Sequence, residues 1–294
     1  MSGRAVMIDG VIVDPAHAKV SVYDRGFLYG DAVFEVLRTY GGAPFALEAH
    51  VGRLGVSAAA VGIVLPVEQR RLQREIEQAL GAAGNEESYV RVMVTRGEGP
   101  LSLDPDTAQR PLRVLLVEPL RPPPRDDYAN GIAAITLRAR RAVDDTSAAG
   151  AKVTNYLANL LAVREAKARG AREALIVDGR GHVVEGASSN VFVVRSGRVA
   201  TPPEQEGILA GITRAGVLAA AAKLGMEVDQ RALEPEDLYA ADEVFVTSSI
   251  RELLSVVRVD GRPVGDGAPG PVARALHRRF RQDAGVGASP MPWV

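Results

Sequence analysis

The stretch Ala151-Lys152-Val153-Thr154-Asn155-Tyr156-Leu157, followed about thirty residues later by Val184-Glu185-Gly186-Ala187-Ser188-Ser189-Asn190, decides the reading of this chain. A lysine forms a Schiff base with an aldehyde cofactor. A tyrosine four residues on can hydrogen-bond a phenolic oxygen of that cofactor, and a carboxylate can keep a pyridine nitrogen protonated so that the ring accepts electrons. Each residue alone is ordinary, because a lysine beside a helix start is usually a solvated charge. Their combination and order point to pyridoxal 5'-phosphate chemistry.

Composition sets the frame. With 294 residues and 47% hydrophobic content, the chain can bury one large core or two modest ones. Thirty-five basic and 36 acidic residues leave a net charge of -1, so no field favours nucleic acid or an anionic membrane surface. The absence of cysteine excludes disulfides, thiolate metal sites and a cysteine nucleophile, and is compatible with a cytoplasmic protein. No apolar run reaches eighteen residues and no basic-then-apolar leader opens the chain, so neither a membrane span nor a secretory signal is expected.

Outward from the lysine, the pattern predicts two domains. In the first, strands at Ala5 to Ile8 and Gly10 to Val13 flank the Asp9-Gly10 turn. Further strands are expected at Val33 to Tyr40, Tyr89 to Thr95 and Arg113 to Val117, and helices at Glu48 to Gly62 and Glu68 to Ala82. Pro122-Pro123-Pro124 marks a stiff linker, because consecutive prolines cannot donate to a ladder. The expected division is a small α/β domain over 1–120, a linker over 121–129 and a larger domain over 130–294. There, Ile132 to Leu137 is a strand and 138–150 a mobile polar loop. Thr154 or Asn155 caps a helix from Tyr156 to Arg169 that stops at Gly170. Short strands at Ala174 to Val177, His182 to Glu185, Val191 to Arg195 and Arg198 to Thr201 read as an antiparallel meander. A helix over Arg214 to Leu224, a strand over Glu243 to Thr247 and a frayed end over 288–294 complete the prediction.

Several segments fit an anion. The run Ile208-Leu209-Ala210-Gly211-Ile212-Thr213 precedes a helix, whose N–H groups and the Thr213 hydroxyl can receive phosphate; equally, Thr213 can serve as a helix cap. Thr247-Ser248-Ser249 ends a strand with three hydroxyls, and Arg53 offers a full positive charge, although a turn and a surface arginine explain these as well. The four histidines are scattered and none has paired-ligand spacing, so no metal site is expected. The glycines near 179–186 match neither a phosphate loop nor a dinucleotide fingerprint, and no nucleophile elbow occurs.

With these residues in view, the chain resembles the fold-type IV pyridoxal-phosphate enzymes: branched-chain aminotransferases, D-amino-acid aminotransferases and aminodeoxychorismate lyases. Seven ordered matches, from about Ala5 to Gly267, carry the resemblance. They are Asp24-Arg25-Gly26-Phe27 with Tyr29-Gly30-Asp31 and Phe34-Glu35; His50 to Leu54; Thr95-Arg96-Gly97; Lys152 with Asn155-Tyr156-Leu157; Glu185-Gly186 with Ser189-Asn190-Val191-Phe192; Gly211 to Arg214; and Asp242 to Phe245 with Thr247 to Ser249. The resemblance implies an α/β (α+β) fold of two domains, the larger built on an antiparallel or mixed barrel-like sheet, and a homodimer in which Tyr29 is among the residues entering the partner's site. It implies Lys152 as the Schiff-base lysine and proton carrier, Glu185 at the pyridine nitrogen and Tyr156 at the ring oxygen. Arg53, Ile212, Thr213, Ser248 and Ser249 would hold the phosphate, with Leu209 packed on the ring.

Within the family, Tyr89-Val90-Arg91 with Tyr29, Phe34 and Arg38 is similar to the substrate pocket of branched-chain aminotransferases. In the D-specific enzymes an arginine and a histidine bind the substrate carboxylate, whereas the corresponding positions here are Leu101 and Leu103. The Lys152-to-Tyr156 spacing and Thr247-Ser248-Ser249 look closer to the D-specific enzymes. Ile250-Arg251 replaces the two small residues normally found after this turn in branched-chain enzymes, and Arg251 adds a charge near the expected carboxylate site, where both residues are candidates for substrate binding. The expected activity is amino transfer from a branched-chain L-amino acid to 2-oxoglutarate. The alternatives are a D-amino-acid or amine transaminase, an aminodeoxychorismate lyase, and a catalytically silent cofactor-binding protein.

Overall fold

The computed structural model describes residues 3–108, 110–139, 146, 148–287 and 289–293. The polar loop expected over 138–150 includes 140–145 and 147, and the frayed end over 288–294 includes 288 and 294; these lie outside the described residues. The chain divides into two compact units, 1–121 with 145–155, and 122–144 with 156–294.

The first unit is an antiparallel sheet with helices on one face. Strands β1 (Ala5–Ile8) and β2 (Val11–Val13) are followed by a short helix α1 (Arg25–Tyr29), then β3 (Ala32–Tyr40) and β4 (Ala43–Pro44). Helices α2 (Leu47–Ala60) and α3 (Gln69–Ala83) precede β5 (Ser88–Thr95) and β6 (Arg113–Pro119). The sheet order is β2-β1-β6-β5-β3-β4. Alternation along β3 sends Val33, Glu35 and Leu37 to the helices; Val33 and Leu37 pack there with Val51 and Leu54 of α2 and Leu72 and Ile76 of α3. Each such fully buried aliphatic side chain contributes about 1.5–3 kcal/mol. Phe34, Val36 and Arg38 point to the opposite face, beside their β5 partners Met93, Arg91 and Tyr89. A buried pair, Arg113 with both oxygens of Glu75 at 2.7 and 2.9 Å, pins α3 to β6.

The second unit carries α4 (Arg125–Asn130), β7 (Ile132–Arg138), α5 (Leu157–Ala168), β8 (Glu173–Val177), β9 (Val183–Gly186), β10 (Asn190–Arg195) and β11 (Arg198–Thr201). Then come α6 (Ile212–Lys223), β12 (Val228–Gln230), α7 (Pro235–Tyr239), β13 (Glu243–Ser248), β14 (Glu252–Val259), β15 (Arg262–Pro263) and α8 (Pro271–Asp283). Its sheet runs β12-β11-β10-β13-β14-β7-β8-β9, with β15 on β14. One face buries Leu175, Val191, Val246 and Leu254. On the other, Phe192 and Phe245 stack 4.9 Å apart between paired strands.

Four expectations are corrected. The expected meander is interrupted: β8–β9 and β10–β11 are antiparallel pairs, but β10 pairs with β13 and not with β9, and the whole sheet is mixed, with β7 parallel to β8 and β14 and β11 parallel to β12. The expected linker over 121–129 is partly helix: α4 starts after Pro124, with Asp126 and Asp127 favourably placed in its first turn. Neither Thr154 nor Asn155 caps α5. Tyr156 holds the cap position without a side-chain bond, while Thr154 donates to Gly30 (2.9 Å) and Asn155 to Tyr29 (3.0 Å) within the first unit. The chain end is packed as well: Trp293 lies edge-on to the buried His277 at 5.1 Å. The sequence reading also passed over α8, whose N-terminal N–H groups at Val272 and Ala273 are met by the Glu243 carboxylate at 2.9 and 2.8 Å.

Candidate active site

In the first unit, β3 gains a short antiparallel neighbour from the lysine segment. Phe34 N–H donates to Lys152 O at 3.0 Å, Val153 bridges Val33, and Thr154 N–H donates to Ala32 O at 2.9 Å. Lys152 N–H donates to Ser57 Oγ of α2 at 3.0 Å. Alternation turns Val153 toward the helix core and Lys152 the other way, so Nζ stands 4.6 Å from the Phe34 ring centroid. The Arg91 guanidinium approaches the same ring at 4.0 Å. Lys152, Phe34, Arg91 and Tyr89 therefore share one sheet face, two cations around an aromatic ring.

Arg38 belongs to that face at a distance. It lies four residues along β3 from Phe34, about 13 Å at strand rise, buried and stacked 4.2 Å from the Tyr40 ring. Tyr29 ends α1, with the Arg25 guanidinium 5.1 Å from its ring. Arg25 also reaches the 100–104 loop, donating to Ser102 O at 2.6 Å. That loop leaves Leu101 and Leu103 73% and 81% exposed.

Behind the sheet, Glu35 gathers two partners from α2. Arg53 donates through Nε and Nη2 to its two oxygens at 2.6 and 2.8 Å, and His50 Nδ1 lies 2.8 Å from Oε2. Burial pushes the Glu35 carboxyl up, but the hydrogen bonds from Arg53 and His50 outweigh it and hold it at about 2. Burial drives His50 below its ordinary value against the pull of Glu35. The imidazole is thus neutral at pH 7 and donates through Nδ1 to the carboxylate.

In the second unit, Glu185 of β9 is half-buried, and its Oε2 accepts the N–H of Leu209 at 3.1 Å. Leu209 O in turn accepts from Asn190 at 2.9 Å. Ile212 and Thr213 open the twelve-residue α6, whose cap Gly211 supplies no side-chain bond to the first N–H groups. A Cβ on Gly211 would lie 1.9 Å from Asn190 Oδ1, so any side chain there would displace Asn190 from Leu209. Asn190 pairs across the sheet with Thr247, whose buried hydroxyl has no hydrogen-bond partner among the described residues. Ser248 ends β13, and Ser249, Ile250 and Arg251 form the turn into β14. Tyr156 stands half-buried at the head of α5.

Arg251 is engaged within the protein. Its Nη1 pairs with the fully buried Glu173, and its Nη2 donates to Ser188 Oγ at 2.8 Å. Asp178, His182 and Glu206 also converge, but Arg180 donates to both carboxylates and makes the group an ion network.

Sequence reading passed over the roles of His50, Ser57, Glu173 and Asn190. The scarcity of lysine was an available signal, since the chain has only four. The structure adds that Lys19, Lys167 and Lys223 are exposed while Lys152 is half-buried.

The family model described as amino-transferase class IV matches residues 32–259. A putative branched-chain-amino-acid aminotransferase of Methanocaldococcus jannaschii is 38% identical over 94% of this chain and 95% of its own. A D-alanine aminotransferase of Bacillus licheniformis is 32% identical over 92% and 93%. The crystal structure of the branched-chain amino acid aminotransferase of Escherichia coli superposes with a TM-score of 0.92 at 29% identity, covering 99% and 98% of the two chains.

Proposed function

The chain belongs to the class IV aminotransferases, and from that premise we propose that it transfers the amino group of a branched-chain L-amino acid to 2-oxoglutarate. Enzymes of this class use pyridoxal 5'-phosphate, which when bound supplies an aldehyde for the amino group and a ring that accepts the electrons of the broken bond.

The residues of this chain fit that group. Lys152 is the one lysine withdrawn from solvent. The Gly211 cap of α6 leaves helix N–H groups for a phosphate, and the Thr247 hydroxyl, without a partner among the described residues, lies across the sheet from the asparagine that packs on that glycine. In this reading Lys152 holds the cofactor and moves the proton at the substrate Cα. Glu185 keeps the ring nitrogen protonated, oriented by the Leu209 N–H. Tyr156 donates to the ring oxygen, and Leu209 packs against the ring. Arg53, aimed by Glu35, binds phosphate with Ile212, Thr213, Ser248 and Ser249. Tyr29, Phe34, Tyr89 and Ile250 shape the substrate pocket, and Arg91 receives the distal carboxylate of the acceptor. Arg38, committed to Tyr40, is the weaker choice for that carboxylate.

The observation that carries the substrate assignment is the 100–104 loop. Arg25 fixes its backbone, and it presents leucines where the D-specific enzymes present a carboxylate trap. Burying a branched side chain against Phe34 and Tyr89 contributes about 1.5–3 kcal/mol, a tenfold to hundredfold preference for leucine over alanine. A second reading, a D-amino-acid transaminase, has its own support in the similarity to the D-alanine enzyme. A cytoplasmic homodimer completes the proposal; the exposed Tyr23, Phe27, Leu157 and Leu160 are apolar side chains for a partner to cover. Among the described residues no helix is long and apolar enough to cross a membrane.

The test is a panel of L- and D-amino acids and amines, each mixed with the yellow holoenzyme while its absorbance is followed. L-Leucine, L-isoleucine and L-valine should discharge the colour fastest. Faster discharge by D-alanine or D-glutamate would replace the first reading with the second.

A further inference from the structure

We propose that Arg251 is a positioning residue of the substrate site. It fixes the 248–251 turn against the 186–189 turn and does not itself receive a substrate carboxylate. The inference rests on the class IV assignment and on placing these turns at the site, and is independent of which amino acid is preferred.

Glu173 is the hub. Its side chain is fully buried, and Oε1 accepts the N–H groups of Ala174 and Ala187 at 3.0 and 3.2 Å. Oε2 accepts Ser189 Oγ at 2.9 Å and also Arg251 Nη1. The second arm of Arg251 reaches Ser188 at 2.8 Å. One guanidinium therefore grips both the hub and the turn that directly follows Glu185. Packing in that turn is close: a Cβ on Gly186 would stand 2.2 Å from Ser189 Oγ and 3.1 Å from Glu173 Cδ.

The backbone of Arg251 is anchored too. Tyr128 Oη donates to its carbonyl at 3.0 Å. The next residue, Glu252, has φ +56, a conformation costly for a side-chain-bearing residue. Its buried carboxylate is held by His277 at 2.6 Å and Arg281 at 2.9 and 3.0 Å. A guanidinium fixed at both ends, with its charge met by a buried carboxylate, is poorly placed to follow a substrate. It is well placed to hold two loops in register.

The test uses holoenzyme and two probes, 4-methylvalerate (one carboxylate) and glutarate (two), with dissociation constants read from the cofactor absorbance and kcat and KM read separately. Arg251→Met and Glu173→Gln should each weaken both probes by a similar factor, roughly tenfold. The double variant should be no worse than either single one, because each removes the same link. Arg251→Lys should recover part of the loss. Selective weakening of glutarate by Arg251→Met, with Glu173→Gln unaffected, would overturn the proposal by making Arg251 a direct carboxylate reader. Unchanged affinity for both probes, or additive losses in the double variant, would overturn it as well. If Glu173→Gln does not fold, Ser188→Ala, which removes only the outer contact, should weaken both probes equally but less. Failure of the branched-chain reading would change the donor panel and leave these ratios untouched.

Discussion

Two buried carboxylates, Glu35 in the first unit and Glu173 in the second, are met in different ways. In the first, Glu35 is held almost wholly by ionisable partners, a bidentate Arg53 and His50. In the second, Glu173 takes one arginine alongside two backbone N–H groups and a serine hydroxyl, and the anion-fitting segments are helix N–H groups and hydroxyls. A carboxylate satisfied by a cation is exposed to the loss of that cation, whereas one satisfied by backbone donors keeps most of its hydrogen bonds. Glu35 thus depends on its ionisable partners, whereas Glu173 keeps backbone and hydroxyl donors beside its arginine.

The sharpest break in that contrast is Lys152→Ala. It should fold and lose turnover by at least about ten-thousandfold, since no other lysine is withdrawn from solvent to replace it. Substantial multiple turnover without added amine would remove Lys152 from its role. Next comes the pair Arg53→Met and Arg251→Met, compared by denaturant unfolding of the apoprotein. Stripping Glu35 of its arginine should cost about 3–5 kcal/mol. Stripping Glu173 should cost about 1–2 kcal/mol, because its backbone donors remain. Equal losses would erase the distinction between the two carboxylates.

Acid titration tests the Glu35 cluster by itself. Glu35 falls from its ordinary 4.5 to about 2 on folding, so its contribution is fully present above about 4.5 and is lost as pH drops through about 2. The difference amounts to roughly 3 kcal/mol. Glu35→Gln should flatten the stability profile across that window, and an unchanged slope would show that the triad does not carry the acid sensitivity. In the second unit, Glu185→Gln should leave cofactor bound and slow the half-reaction about a hundredfold or more, because an amide cannot stabilise a protonated ring nitrogen. Wild-type single-turnover rates would refute that role.

Much of the architecture was legible because hydrophobic period is a local signal. The alternation in Val33 to Tyr40 and the helical spacing after Glu48 reappear in β3 and α2. Parallel pairing was not legible, since β7 meets β14 across more than a hundred residues and nothing in either strand names its partner. Thr154 and Asn155 misled for a related reason. Both are good helix caps by type, but a tertiary partner claimed each side chain. At the site, Arg53 and Glu35 were both in view as motif residues, yet their bond depends on α2 folding back over β3. The charge of Arg251 was plain, but its neutralisation by Glu173, 78 residues away, was not.

Borohydride reduction of the holoenzyme, followed by peptide mass spectrometry, tests the Lys152 assignment most directly. The chain offers only Lys19, Lys152, Lys167 and Lys223, so the outcome is unambiguous. A phosphopyridoxyl label is expected on the peptide containing Lys152, stoichiometric and absent from the other three; a label on Lys19, Lys167 or Lys223 with Lys152 unmodified would contradict the assignment.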